Sequence, residues 1–266
     1  MKLAVSALCW TNPLDFEVMR EWRGFGIQGV EAVPGKMLPS WPRLVDSEAR
    51  EAARRCAEYG LEIPAMQGIL FGRPEACVFK NPKGFVDAVM TAADAAAAMG
   101  GVPRLVWGAP ASRRCGGVPF EQAATQVLSV LREAAEIAWA RGTTLLVEHN
   151  PPAYGCDFVM TPAEAAELAL MVGHRAFGWH LDVGGMADDP DDGLARMVGA
   201  THLHVSERGL APFQASELHV RVALEAHRIC RAWASLEMLP HPQGDEMLVE
   251  NVLEFVKQYE KDMRTQ

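Results

Sequence analysis

Four short stretches of the sequence each place one carboxylate or imidazole side chain directly after an apolar residue. Glu148 ends "TLLVE", Asp182 ends "GWHLD", His204 lies in "THLHV" and Glu237 lies in "ASLEM". Alternate residues of a β-strand point to the same face. The preceding apolar residue therefore lies on one face in every stretch, and the acid or imidazole lies on the other. This shared parity predicts that the four side chains meet on one side of neighbouring strands.

Three carboxylates brought together repel one another unless one stays protonated or a cation lies between them. One imidazole with three carboxylates suits Mn²⁺, Mg²⁺, Co²⁺ or Zn²⁺ and differs from a thiolate-bound structural zinc site. We therefore predict that Glu148, Asp182, His204 and Glu237 bind one divalent metal ion. The alternative is four unrelated polar groups at strand ends. That explanation suits any one residue alone, but four residues with matching parity favour the metal site.

Such an arrangement requires strands that alternate with helices. The sequence predicts eight strands, at Leu3–Leu8, Gly29–Ala32, Glu62–Gln67, Arg104–Trp107, Thr144–Glu148, Gly178–Asp182, Thr201–Val205 and Ala234–Met238. Helical spacing of apolar residues predicts helices at Arg50–Tyr59, Phe85–Met99, Glu121–Arg141 and in the last stretch, Leu248–Tyr259. Thr161-Pro162 is typical of a helix start. The acidic run Ala187–Gly193 is interpreted as a solvated loop that caps the next helix.

Eight strands alternating with helices over 266 residues predict a single-domain (β/α)8 TIM barrel, an α/β fold that spans residues 1–266. A doubly wound sheet would normally carry a glycine-rich phosphate turn after the first strand, and Leu8–Pro13 has none. Active sites of such barrels lie at the carboxyl ends of the strands. The four residues of the predicted metal site occupy those ends.

Composition limits the class of protein further. Hydrophobic residues make up 49% and charged residues 22% of the chain, as in ordinary globular proteins. The formal net charge of -9 disfavours nucleic acid as a partner, because an acidic surface repels phosphate backbones. We also expect no membrane association, since no apolar run approaches the roughly 20 residues of a membrane span. The six cysteines form no CxxC pair, which indicates reduced thiols and a cytoplasmic location.

The motifs "LLVEHNP", "HLDVG", "HLHVSE" and "SLEM" together resemble the xylose isomerase-like barrels. That superfamily includes sugar isomerases and epimerases, inosose dehydratases and endonuclease IV. The segment "VWGAPASR" is similar to the fourth-strand region of some members. The resemblance covers essentially the whole chain. It implies that Glu148, Asp182, His204 and Glu237 are the metal ligands. It also implies that Glu148 and Glu237 are catalytic, moving the proton of a carbon next to a metal-stabilised carbonyl.

Three positions depart from the ketose 3-epimerase branch of that superfamily. Gly185 stands where many relatives have a histidine, Tyr154 where the 3-epimerases have a second glutamate, and Leu210 where they have an arginine, with Arg208 nearby. These positions anchor the substrate in that branch. The resemblance therefore supports the metal centre more strongly than a ketohexose substrate.

Seven further residues are candidates for substrate binding. His180 and His202 lie one layer deeper than Asp182 and His204 and either contact a ligand, support the metal ligands or are ordinary buried histidines. Arg113 could bind a substrate carboxylate or phosphate, or lie on the surface. Trp107 and Gln67, at strand ends, could form the walls of a sugar site or plug the barrel mouth. Asn150 could orient a ligand or serve as a turn residue, and His219 could reach the site or lie on a helix surface.

We therefore expect a metal-dependent isomerase or epimerase of a small sugar or polyol. The alternatives are a dehydratase that begins from the same enediolate, and a non-catalytic ligand-binding barrel. A nuclease like endonuclease IV is disfavoured, because the third strand offers Gln67 where that enzyme has a histidine. We also expect that the protein can form homo-oligomers, since members of the group often associate.

Overall fold

The computed structural model describes residues 1–11, 16–229 and 232–260. Of residues 16–18, only the backbone is described. Within these ranges seven parallel strands form one sheet in the order β2-β1-β7-β6-β5-β4-β3. The strands are β1 (Lys2–Ser6), β2 (Ile27–Glu31), β3 (Arg104–Trp107), β4 (Thr144–Glu148), β5 (Phe177–Asp182), β6 (His202–Val205) and β7 (Trp233–Leu236).

The predicted third strand, Glu62–Gln67, is not a regular strand. It makes only isolated bridges, Gly29 with Glu62, Ala32 with Met66, and Met66 with Leu105. Pro64 lies in the middle and has no N–H to donate, so a continuous ladder cannot form there. This bridging segment, 62–66, nevertheless joins β2 to β3. The sheet therefore surrounds the barrel axis, with seven regular strands and one irregular segment in the described part of the chain.

Helices cover the outside of the sheet. They are α1 (Phe16–Gly24), α2 (Pro34–Met37), α3 (Asp46–Glu58), α4 (Pro82–Ala98), α5 (Phe120–Ala140), α6 (Pro162–Val172), α7 (Pro190–Arg196), α8 (Glu217–Arg228) and α9 (Glu246–Tyr259). No helix of the described residues has the length and apolar character needed to cross a lipid bilayer. The single-domain α/β barrel predicted from the alternation of strands and helices is confirmed.

Local signals in the sequence set several helix boundaries. Thr161 caps α6 by accepting a hydrogen bond from the Glu164 backbone N–H at 3.2 Å, and Pro162 is its first residue, as predicted. Asp189 caps α7 in the same manner, accepting from the Asp192 N–H at 3.2 Å. Because α7 already begins at Pro190, the second half of the acidic run is helical rather than loop.

Candidate metal centre

The four residues predicted to bind a metal lie together at the carboxyl ends of four adjacent strands. Glu148 ends β4, Asp182 ends β5, His204 lies in β6, and Glu237 directly follows β7. One ligand atom from each residue lies within 4.8 Å of the ligand atoms of the other three. Asp182 and His204 are register partners in the parallel pair β5–β6, so their side chains point the same way. The shared parity in the sequence therefore corresponds to a real cluster.

Distances around His204 fit ligands of a common ion. Its Nδ1 atom lies 3.3 Å from Glu148 Oε1 and 3.0 Å from Glu237 Oε2. Among the described residues, however, no group is aligned to make a hydrogen bond with this nitrogen. Ligands about 2.1 Å from an ion in octahedral geometry lie about 3 Å from their nearest neighbours. The buried nitrogen and the two carboxylate oxygens, 3.0 and 3.3 Å from it, are therefore spaced as ligands of one divalent cation would be.

Asp182 is held in place by both of its carboxylate oxygens. Ser206 Oγ donates to Oδ1, and the Gly185 backbone N–H donates to Oδ2 at 2.7 Å. Ser206 Oγ in turn accepts from the Gly184 N–H at 2.9 Å. An ideal Cβ on Gly184 would lie 2.6 Å from the Glu207 carbonyl oxygen, so glycine is required for this close approach. The motif "HLDVGG" therefore positions the aspartate as well as supplying it.

The electrostatics of the clustered carboxylates also favour a cation at this position. Burial, followed by the Glu148 and Glu237 carboxylates, raises the pKa of Asp182 to about 8. Burial likewise raises the pKa of Glu148. Burial opposes the charged form of His204, but the Glu237 and Glu31 carboxylates outweigh it and raise the pKa of the imidazole well above its usual value. The raised pKa values favour proton binding at the cluster, and a divalent ion bound there would displace protons.

Glu31, at the end of β2, also belongs to the site, although it is not among the residues predicted from the sequence. Its side chain is fully buried, and its two carboxylate oxygens lie 2.9 and 3.0 Å from His204 Nε2. Because an ionised carboxylate only accepts hydrogen bonds, Nε2 must carry the proton, and in the neutral ring Nδ1 keeps the lone pair for a metal. Burial would raise the pKa of Glu31, but His204 and His202 outweigh it and lower that pKa below its usual range. The parity rule applied to "GVEA" would have found this glutamate.

His180 and His202 lie behind the four clustered residues. Both are fully buried, and neither lines the cavity above the cluster. His202 Nε2 lies 3.4 Å from Glu31 Oε2 and 3.2 Å from Ser235 Oγ. His180 Nε2 lies 3.6 Å from Glu148 Oε1. Of the positions considered for these two histidines, the structure shows the buried one, in contact with Glu148 and Glu31 and outside the cavity lining.

A cavity of about 510 Å³ opens above the carboxylates. Three predicted substrate-binding residues line it, and each makes a hydrogen bond that fixes its side chain. Gln67 Nε2 donates to Ser6 Oγ at 2.7 Å, and Trp107 Nε1 donates to Ser112 Oγ at 2.7 Å. Asn150 accepts from Arg113 Nη2 at 2.5 Å through its Oδ1 atom. These residues are therefore fixed parts of the cavity wall.

Arg113 and His219 are buried and do not line the cavity. Arg113 is fully buried, and its guanidinium donates to Asn150, to the Trp107 carbonyl and to Cys156 Sγ, so it is neither a surface residue nor open to a substrate anion. His219 lies on the inner side of α8, with Nε2 2.9 Å from Glu207 Oε1 and Nδ1 2.8 Å from Tyr259 Oη. It is part of the packing between α8 and α9 and does not line the cavity.

Solved structures with this fold include enzymes of different chemistry. D-psicose 3-epimerase from Clostridium cellulolyticum H10, solved with D-tagatose, is 14% identical, with a TM-score of 0.77 and 98% of each chain covered. The 3-keto-D-glucoside 4-epimerase of E. coli is 13% identical, with a TM-score of 0.73, 97% of this chain and 99% of that chain covered. An AP endonuclease of family 2 from Brucella melitensis is 19% identical, with a TM-score of 0.70, 94% and 98% covered.

Identities this low show a common fold, and the fold alone does not determine the reaction. None of the curated proteins matches the sequence. A family model described as xylose isomerase-like TIM barrel matches residues 19–214. That match covers most of the chain and includes three of the four clustered residues, Glu148, Asp182 and His204. The chain belongs to the xylose isomerase-like TIM barrel family.

Proposed function

We propose that the protein is a divalent-metal-dependent isomerase or epimerase of a small sugar or polyol that carries a carbonyl next to a hydroxyl-bearing carbon. The observation that supports this most directly is the convergence of three buried carboxylates and one imidazole nitrogen below a cavity large enough for a small molecule. Solved structures of two sugar epimerases have the same fold, which is consistent with the proposal.

The residues present fit a resident divalent ion. Glu148, Asp182, His204 and Glu237 would hold it, and Glu31 would keep the imidazole in the required orientation. When bound, the ion would polarise a carbonyl and stabilise the negative charge that develops when the neighbouring carbon loses its proton. Oxygen-rich ligation of this kind suits Mn²⁺, Mg²⁺ or Co²⁺, and the imidazole also permits Zn²⁺.

Glu148 and Glu237 are the proposed catalytic residues. In the sheet order β7-β6-β5-β4, the strands of Asp182 and His204 lie between the two glutamates, so the glutamates approach the cavity from different sides. One carboxylate would remove the proton from the carbon next to the carbonyl, and the other would hold the proton that is returned. Return to the opposite face of the same carbon gives an epimer. Return to the adjacent carbon gives an isomer.

The first test is metal binding. Calorimetry on chelator-treated protein with Mn²⁺, Co²⁺, Mg²⁺ and Zn²⁺ should show one ion per chain. Binding should be lost or strongly weakened in Asp182→Asn and His204→Ala, and unchanged in Glu136→Gln, which alters an exposed carboxylate on α5. Absence of binding in the wild type, or equal binding in all variants, would refute the metal-dependent function and favour a ligand-binding barrel.

The second test is turnover of ketoses and related polyol ketones in deuterated water. We expect a product of unchanged composition that carries one solvent deuterium on carbon, because the proton removed by a glutamate exchanges with solvent. Glu148→Gln and Glu237→Gln should each abolish this exchange, whereas Glu136→Gln should not. A product lighter by one water would contradict the isomerase proposal and identify a dehydratase instead.

A further inference from the structure

The upper part of the cavity has a different chemical character from its base. The carboxylates at the base come from strand ends. The walls above them come from the loops that follow β1, the bridging segment, β3, β4 and β6. Seven of these loop residues are apolar: Leu8, Ile69, Leu70, Phe71, Ala109, Pro110 and Leu210. The uncharged polar side chains among them are Gln67, Asn150 and Tyr154. A ligand bound to the base therefore places its remote end against hydrocarbon.

No lysine, arginine or histidine is among the described residues that line this cavity. The buried guanidinium of Arg113 is directed at Asn150, the Trp107 carbonyl and Cys156, away from any ligand. The charged side chains that do line the cavity are Glu148, Asp182 and Glu237, all acidic. A phosphate or carboxylate on a bound ligand would therefore meet three acidic side chains and no counter-charge among these lining residues.

The apolar wall is fixed in place at Leu210. This leucine has a φ of 54°, in the left-handed region that a residue with a branched side chain seldom occupies. Its carbonyl accepts from the Leu239 N–H at 2.9 Å, and its N–H donates to the Glu207 carbonyl at 2.9 Å. The preceding Gly209 N–H donates to Tyr154 Oη at 2.8 Å. Such a conformation persists only where the surroundings hold it, and here three hydrogen bonds hold an isobutyl group against the cavity.

Tyr154 supplies a neutral polar group in the upper wall. Its oxygen accepts the Gly209 hydrogen bond, which leaves the hydroxyl proton to be donated to a ligand oxygen. Burial, with the nearby Asp182, Glu237 and Glu148 carboxylates, raises the pKa of this hydroxyl, so the proton is retained at neutral pH. Gln67 and Asn150 also line the cavity, and each already uses one side-chain atom in a hydrogen bond within the protein. The leucines, the isoleucine and the phenylalanine can satisfy no hydroxyl of a ligand.

We propose that the substrate is an uncharged α-hydroxyketone whose end remote from the reacting carbons is apolar, such as a 6-deoxyketose. This inference rests on the proposed function, because it assumes that the carbonyl and its neighbouring hydroxyl are bound at the carboxylate cluster. It excludes sugar phosphates as the substrate class. It also places the selection between substrates at Leu210 and the loop 69–71 rather than at the metal ligands.

The test compares three matched probes: a ketohexose, its 6-phosphate and its 6-deoxy analogue, repeated for several stereoisomers. The readout is solvent deuterium exchange at carbon with metal-loaded wild-type protein. We expect the kcat/KM of the 6-deoxy sugar to exceed that of the parent by about tenfold, since burying a hydroxyl without a partner costs about that much. We expect no measurable exchange with the phosphate. Exchange that is fastest with the phosphate would overturn the inference and leave the proposed function intact.

Two variants test the wall directly. Leu210→Arg places a cation in the wall, and we expect it to bring the phosphate to parent-like rates and to reduce the 6-deoxy preference at least tenfold. Val198→Arg makes the same charge change at an exposed apolar residue that does not line the cavity, and should leave the preference unchanged. An unchanged preference in Leu210→Arg would also overturn the inference.

Failure of the proposed function gives a different result. If no probe of any stereoisomer exchanges deuterium while the metal binds, the catalytic proposal fails. The inference is then decided by calorimetric binding of the same probes to the metal-loaded protein. Tighter binding of the 6-deoxy sugar than of the phosphate supports it, and the reverse order overturns it.

Discussion

Replacement of Glu31 by glutamine tests whether a carboxylate outside the metal cluster sets the metal affinity. The substitution keeps the volume of a side chain that is completely buried, so no cavity forms. It removes the negative charge that contacts His204 Nε2 through both oxygens, at 2.9 and 3.0 Å. Glutamine retains one oxygen that can accept this bond, but its amide group brings donors towards the ring nitrogens of His204 and His202.

We expect the divalent-metal affinity of Glu31→Gln to fall by about tenfold to a hundredfold, the usual effect of removing a partner of a metal-ligating histidine. That change corresponds to about 1.4–2.7 kcal/mol of binding free energy. Calorimetric titration of Mn²⁺ into chelator-treated protein measures it. Nitrogen-15 spectra of the histidine ring should also show that the Nε2-protonated form of His204, dominant in the metal-loaded wild type, is less dominant in the variant.

Glu62→Gln is the matched control, because this glutamate lies close to β2 but is exposed and pairs with Lys2. Its metal affinity should equal that of the wild type. Circular dichroism must show that Glu31→Gln is folded at the temperature of the titration. A folded Glu31→Gln protein that binds Mn²⁺ within about threefold of the wild type would refute the reasoning, since the carboxylate would then have no part in presenting Nδ1.

Three further perturbations follow from the same geometry. Gly108→Ala should weaken metal binding with little change in thermal stability. An ideal Cβ at Gly108 lies 1.8 Å from Glu148 Oε2, so the end of the Glu148 side chain must move away. Calorimetry measures the first effect and a melting curve measures the second. Metal affinity should rise with pH by about tenfold per unit for each proton that the ion displaces, and below pH 8 the raised pKa of Asp182, about 8, supplies one such proton; titrations in two buffers of different ionisation enthalpy count the protons released. Tyr154→Phe should lower kcat/KM for the preferred ketone by about tenfold while leaving Mn²⁺ affinity unchanged, since the phenol lines the cavity but is not in the ligand cluster; equal loss of metal binding would contradict this role.

The raised pKa of Asp182 also affects the stability of the metal-free protein. The folded-state pKa of about 8 lies above the usual aspartate pKa of 3.8. A proton therefore binds the folded state more tightly, and its contribution to stability is present at low pH and is lost as the pH rises through about 8. Added metal should remove this decline, because the ion replaces the proton.

The metal cluster could be predicted because its cause is local and repeated. Side chains alternate along every strand, and parallel strands of a barrel bring their carboxyl ends to one face. The sequences around Asp182 and His204 therefore predict their common direction without any knowledge of the loops. The same rule applied to Glu31 would have added it to the site.

Other features depend on tertiary structure that the sequence does not encode locally. Arg113 is the last residue of a short 3-10 helix, and its side chain is buried. Its hydrogen bond to Asn150, 37 residues away, depends on the tertiary structure. The environment of His219 is set by Tyr259, which lies 40 residues away. Pro64 disfavours a regular strand in the third predicted strand, whereas the residues on both sides of the proline are typical of a strand.

The bridging segment gives the barrel a point of low local stability. On one side, four backbone hydrogen bonds join 62–67 to 28–32, that is, to β2 and Ala32 directly after it. On the other side, two join the segment to β3: Met66 N–H to the Arg104 carbonyl and Val106 N–H to the Met66 carbonyl. We therefore expect the sheet to open more readily there than between β3, β4 and β5, which pair along their length. Loop 69–71, part of the cavity wall, follows this segment directly. Amide protons of Met66 and Val106 should exchange with solvent faster than those of β4 and β5. Such an opening would move loop 69–71, one wall of the cavity, outward. We therefore expect ligand to enter and leave through a fluctuation of the barrel itself and not through the movement of a separate lid.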